Sequence, residues 1–265
     1  MHAALTQLSK LVRRAPGGSA LVDYVKITMT APSVIEYDPV TDEDILKWMR
    51  FINPGMLDPG NLQLFAYCVQ RLPSTAPLIE IGSFAGLSLN HLIHLLRHNG
   101  KANPVFSVDE WKFEGYRPGR LIDGSSVPHE AYRSHVIETF RRNVTLFSGA
   151  HLPHHIELAS DTFFAAWGAQ ETRIDFFGRS SRLGGPIALA YIDGDHTYAQ
   201  CNRDFENVDR YLEKGGFIIF DDSAEGSILV VRASPKTQAR CRDTSWLPKT
   251  QITVCANVLA SEPSI

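Results

Sequence analysis

Between residues 77 and 222 the chain alternates between short, almost wholly apolar runs and longer segments of helical periodicity. The apolar runs are "PLIEIG" (77–82), "PVFSVDEW" (104–111), "HIELASD" (155–161), "PIALAYID" (186–193) and "FIIFDD" (217–222). An apolar run of this length without polar alternation is the pattern of a strand covered on both faces. The segments between them are amphipathic. In 87–100, Leu89, Leu92, Ile93 and Leu96 share one face, and in 197–216 Tyr198, Phe205, Val208 and Leu212 do the same. "EAYRSHVIETFRRNV" (130–144) is a further helix. Strands alternating with helices predict an α/β fold, a Rossmann-like parallel sheet with helices on both faces.

The residues before this pattern read differently. A short helical stretch leads to "APGGSA" (15–20) and a β-rich stretch around "YVKITM" (24–29). Helical character starts at "TDEDILKWMRFI" (41–52), breaks at "NPGMLDPGN" (53–61) and resumes in "LQLFAYCVQRL" (62–72). We therefore divide the chain into a partly helical N-terminal extension, 1–60, and a Rossmann-like domain, 61–265.

Composition limits the partners. The chain is 44% apolar and 21% charged with a net charge of −3, so no basic field exists to hold nucleic acid. No apolar run approaches the roughly 20 residues of a membrane span. The four cysteines, Cys68, Cys201, Cys241 and Cys255, form no C-x-x-C pair and suit a reducing compartment. The start "MHAALTQLSKLVRR" lacks the apolar block of a secretory signal, so a cytoplasmic location is expected over an organellar one. Homo-oligomerisation is left open.

The chemistry is expected where the strands end. Ligands of open α/β sheets bind outside the carboxyl ends of the strands, and those ends carry Glu80, Asp109, Asp161, Asp193, Asp221 and Asp222. After the first strand, "EIGSFAGLS" (80–88) places Gly82 and Gly86 at G-x-x-x-G spacing. That allows a tight turn and close approach of a ligand, but Phe84 stands where a dinucleotide motif has a glycine, which argues against a nicotinamide dehydrogenase. Asp109 is placed to accept from ribose hydroxyls, or to cap the next segment.

Asp193 and Asp221 end consecutive strands joined by one helix. Neighbouring parallel strands lie about 4.8 Å apart, so Asp193, Asp221 and Asp222 converge. Clustered carboxylates repel, and a divalent cation relieves this; oxygen donors favour Mg2+, Mn2+ or Ca2+ over zinc. The alternative is that Asp222 caps the following turn. His196, at the start of the next helix, is a candidate base for a hydroxyl proton, or a structural cap or outer partner of the acids. The remaining histidines of 91–98 and 151–155 read as surface or packing residues.

Four pieces taken in order, "IEIGSFAGLSLNHL", "FSVDEW", "YIDGDHTYAQCNRDF" and "LEKGGFIIFDDS", resemble class I S-adenosylmethionine-dependent methyltransferases. The branch they look most like is the metal-dependent O-methyltransferases typified by macrocin O-methyltransferase. The resemblance implies that Glu80, Gly82, Ser83, Gly86 and Ser88 hold the methionine part of S-adenosylmethionine. It implies Asp109 at the ribose, Trp111 beside the adenosine, and Ser160 and Asp161 at the adenine edge. Asp193, Asp221 and Asp222 match magnesium ligands and His196 the base, with a small-molecule hydroxyl, sugar or phenolic, as acceptor. It also implies a closing antiparallel C-terminal strand pair, for which "SILVVRA" (227–233) and "TQITVCANVLA" (250–260) are the candidates. The Gly- and Ser-rich segment 112–130 is a candidate lid. A hydroxylase-type relative on the same fold and a non-catalytic cofactor-binding paralogue are the competing readings.

Overall fold

The computed structural model describes residues 23–27, 44–57, 59–113, 115–221 and 253–258. Its centre is a parallel sheet built from β2 (Leu78–Ile81), β3 (Val105–Val108), β4 (His154–Ile156), β7 (Ile187–Ile192) and β8 (Leu212–Phe220). β2 pairs with β3 and with β7, β3 pairs with β4, and β7 pairs with β8, all parallel. Two further strands, β1 (Asp23–Ile27) and β9 (Thr253–Val258), extend the edge beyond β8. Both of these pairings, β8 with β9 and β9 with β1, are antiparallel. The order is β1-β9-β8-β7-β2-β3-β4.

β2, β7 and the inner strand positions are fully covered, which is why they read as unbroken apolar runs. Alternate side chains face opposite layers, as a strand requires. Leu78, Leu189, Tyr191, Phe217 and Ile219 meet one core, with α2 (Pro59–Gln70), α3 (Leu87–His98) and α4 (His129–Ser148). Ile79, Ala190, Ile192, Ile218 and Phe220 meet the other, with α5 (Ser160–Gly168) and α6 (Tyr198–Asp209). Each large side chain buried here contributes about 1.5–3 kcal/mol. The rings of Phe65 and Tyr191 add an edge-on contact at 4.8 Å between α2 and the sheet.

The sequence misplaced one strand boundary. "HIELASD" was expected to be extended throughout, but pairing stops at Ile156 and α5 begins at Ser160. Phe163, Phe164, Ala166 and Trp167 form one buried helical stripe, and that period of 3.6 overrides the short extended run. A hairpin of β5 (Thr172–Ile174) and β6 (Ser180–Arg182) follows, which the sequence did not disclose.

Two elements before residue 60 reach the main body. α1 (Asp44–Ile52) packs Leu46 and Met49 against Leu87, and β1 lies on β9. Of the two candidate C-terminal strands, the second supplies β9; 227–233 lies outside the described residues. In the 112–130 segment, Phe113 stacks on His129 at 5.3 Å and meets Tyr132 edge-on at 5.1 Å, holding this stretch against the start of α4.

Candidate active site

The chain runs from β2 outward to β3 and β4, then returns to the other side of β2 as β7. The order therefore reverses between β2 and β7, and a cleft opens at such a reversal. It has a volume of about 1150 Å³ and is bordered by the turns after β2, β3, β4, β7 and β8.

The β2–α3 turn is shaped by two glycines. Gly82 has φ +83°, and a Cβ there would lie 2.0 Å from the Asp193 carbonyl oxygen. Gly86 has φ +85°, and its Cβ would collide with Val144 at 2.7 Å. The sequence reading assigned this freedom to a tight turn and to ligand approach; the structure has the tight turn, with the neighbouring strand end and α4 packed close to the two glycines. Phe84, between them, is itself left-handed at φ 40° and its ring is partly exposed in the cleft.

What holds Phe84 in that conformation is Asp109. Its Oδ2 accepts the backbone N–H groups of Ser83 (2.9 Å) and Phe84 (3.0 Å), and its Oδ1 accepts that of Trp111 (2.6 Å). The capping alternative for Asp109 is thus realised. Burial raises its pKa above the ordinary carboxylate value, and the three amides pull it back. Trp111, also left-handed at φ 50°, is buried and donates from Nε1 to the Phe84 carbonyl at 2.8 Å. Strain of this kind persists only where the surroundings over-determine it.

Glu80 is fully buried beneath the turn. Ser88 Oγ donates to its Oε1 at 2.5 Å, while Oε2 has no hydrogen-bond partner among the described residues. Burial lifts its pKa to about 8, with the hydroxyls of Ser88 and Ser83 opposing.

Asp193 and Asp221 do converge. Burial and then the charge of Asp221 push the Asp193 pKa well above the carboxylate range, against the pull of the Tyr191 hydroxyl. Asn61, buried at the start of α2, donates from its amide to Asp221 Oδ1 at 2.5 Å and to the Tyr191 hydroxyl at 3.3 Å. Asn61 Oδ1 has no hydrogen-bond partner among the described residues. Asp222 lies outside the described residues. Among the described residues, no group of three or more His, Cys, Asp or Glu side chains is gathered for a metal ion. His196 is exposed at the cleft, with Nε2 3.8 Å from Asp193 Oδ1.

Beyond the turn after β4, Ser160 and Asp161 open α5. Ser160 Oγ donates to Asp204 Oδ1 at 2.6 Å. Asp161 is turned toward α6, where Arg203 (3.2 Å) and Asn207 (3.0 Å) donate to it. The sequence reading did not single out Asn61, Tyr191, Gln200 or Asp204. Each reads as an ordinary helix or strand residue until a partner far along the chain is known. By contrast, His91 and His155 are packing groups as expected. Both are buried, and burial depresses their pKa to about 4 and about 3, so they remain neutral.

Fold and cleft together define a Rossmann-like class with a candidate ligand site at the ends of the parallel strands. Residues 79–223, more than half the chain, match a family model described as a methyltransferase domain. The chain belongs to that methyltransferase family. An uncharacterized protein of Acanthamoeba polyphaga mimivirus is 25% identical over 146 residues, 54% of this chain and 50% of that protein. The chain therefore spans about half the length of this curated relative. Among solved structures, a proposed O-methyltransferase from Klebsiella pneumoniae is similar over 83% of this chain and 92% of its own, with a TM-score of 0.50 and 14% identity. The O-methyltransferase TomG from Streptomyces achromogenes, in complex with SAM, covers 69% of this chain and 67% of its own at a TM-score of 0.43 and 13% identity. At such identities the likeness concerns the fold. No helix among the described residues is long and apolar enough to cross a membrane.

Proposed function

We propose that the protein transfers the methyl group of S-adenosylmethionine to a hydroxyl of a small molecule, sugar or phenolic, with a divalent cation assisting. The observation that carries this reading is the shared cleft. It joins the braced glycine turn, with Glu80 beneath it, to the Asp193–Asp221 pair and His196. The cofactor supplies an electrophilic methyl group on a sulfonium.

This chain's residues divide the work. Ser83, Gly86 and Ser88 shape the turn that receives the methionine part, and Glu80 offers the free Oε2 under it. Asp109 keeps the turn open and has lone pairs left on Oδ1 for a ribose hydroxyl. Trp111 braces the same wall. Ser160 and Asp161 stand at the purine end. His196 is exposed enough to meet an acceptor hydroxyl and take its proton, its Nε2 lying 3.8 Å from Asp193 Oδ1. Fixing both reactants in one cleft supplies the larger effect, up to about 7–11 kcal/mol.

The donor set is compatible with Mg2+ or Mn2+. Two repelling carboxylates and the Asn61 oxygen, which has no partner among the described residues, are hard oxygen donors. Asp193 and Asp221 would hold the ion, with Asp222 as the expected third ligand. A bound ion would lower the pKa of a coordinated hydroxyl.

The test is methyl transfer from labelled S-adenosylmethionine to a panel of phenols and sugars, with and without EDTA. Metal-restored transfer to an oxygen acceptor supports the whole reading. Transfer unaffected by EDTA removes the cation, and no transfer across the panel favours the non-catalytic alternative. The protein is expected in the cytoplasm, with a small-molecule partner.

A further inference from the structure

Asp204 is a carboxylate that the proposed chemistry does not use. It is only 1% exposed, lines the cleft, and its Oδ2 has no hydrogen-bond partner among the described residues. Its surroundings fix the direction of each hydrogen bond nearby. Arg203 donates to Gln200 Oε1, so the Gln200 amide nitrogen faces the other way. That nitrogen donates to Ser160 Oγ at 3.1 Å and to Asp204 Oδ1 at 3.0 Å. An ionised carboxylate can only accept, so the Ser160 hydroxyl hydrogen is committed to Asp204. Burial raises the Asp204 pKa to about 6, with Ser160 and Gln200 opposing, so the group is mainly ionised at neutral pH.

The consequence falls on Ser160. Its hydrogen is spent and one lone pair is taken by Gln200, which leaves one acceptor site. Asp161 is engaged by Arg203 and Asn207. This end of the cleft therefore offers acceptors and no side-chain donor from the Ser160–Gln200–Asp204 set.

We propose that Asp204 is a specificity-determining positioning residue, which locks Ser160 as an acceptor so that the cleft takes a purine with a 6-amino group and rejects a 6-oxo purine. The inference rests on the cofactor reading above and deepens it. A 6-oxo purine would set its oxygen against the one remaining acceptor site of Ser160, leaving both unpaired.

Calorimetric titration with S-adenosylhomocysteine and S-inosylhomocysteine tests this. The wild type should bind the adenosyl compound roughly tenfold or more tightly than the inosyl one. Asp204→Asn should shrink that ratio toward one, because its amide donates to Ser160 and frees the hydroxyl hydrogen for the ligand. Ser160→Ala should also shrink it, and decides the matter if Asp204→Asn does not fold. A purely structural role for Asp204 would weaken both ligands and keep the ratio, which would overturn the inference. Equal binding of both compounds by the wild type would overturn it too and leave the cofactor reading intact. Binding of neither by the wild type would overturn the cofactor reading and the inference together.

Discussion

Ser88 donates its hydroxyl hydrogen to Glu80 Oε1 at 2.5 Å, and the carboxyl that receives it is fully buried. Burial raises the Glu80 pKa from the ordinary 4.5 to about 8. The folded state therefore holds a proton that the unfolded state releases between pH 4.5 and 8. Stability attributable to Glu80 should fall as pH rises through that window. Glu80→Gln should remove the dependence and stabilise the fold more at pH 8 than at pH 5, by about a few kcal/mol at most, with the melting temperature following. Thermal melts at the two pH values check this; an equal change at both would contradict it.

Gly82 cannot be replaced cheaply. A Cβ would lie 2.0 Å from the Asp193 carbonyl, and φ is +83°. Gly82→Ala should cost about 2 kcal/mol or more, since both backbone strain and a clash with main chain apply. Urea denaturation measures it, with an unchanged slope and a lowered midpoint expected.

The acid pair should show a conflict between stability and function. Asp193→Asn removes one of two repelling groups. We expect stabilisation of about 1 kcal/mol together with loss of methyl transfer. The wild type should gain melting temperature on adding Mg2+, and the variant should not. Thermal shift with and without EDTA reads both effects.

Asn61 ties α2 to this pair through a 2.5 Å bond to Asp221. Asn61→Ala removes a hydrogen bond to a charged group, worth about 1.5–3 kcal/mol. The same variant should also weaken any Mg2+-dependent thermal shift, a readout that simple loss of packing would not move.

His196 is exposed, so His196→Ala should leave stability within about 0.5 kcal/mol. A base at this position should cost roughly 10²–10⁴ in kcat with KM little changed. A variant with wild-type kcat would make His196 a bystander.

Much of this architecture was legible in the chain. Ile187–Ile192 and Leu78–Ile81 lie inside a parallel sheet, and burial on both faces leaves no choice but apolar residues. Their terminal acids then stood out, and the convergence of Asp193 and Asp221 followed from strand spacing. Elements that depend on tertiary context were not legible. The three-residue strands of the 172–182 hairpin carry no apolar run. α5 begins with Ser160 and Asp161, which also read as the end of a strand. Asn61 meets a partner 160 residues away, so nothing local marks it. The turn glycines were found for the right geometry, but their close contacts are with Asp193 and Val144, which no local reading supplies.

The central claim is that the cleft around the Asp109-braced turn holds S-adenosylmethionine. Calorimetric titration of the whole chain with that compound measures it directly. The account predicts saturable binding at one site, abolished by Gly86→Val, whose side chain would press on Val144 and deform the turn. Absence of any binding heat from the folded wild-type protein, across temperatures that exclude a cancelling enthalpy, would contradict it.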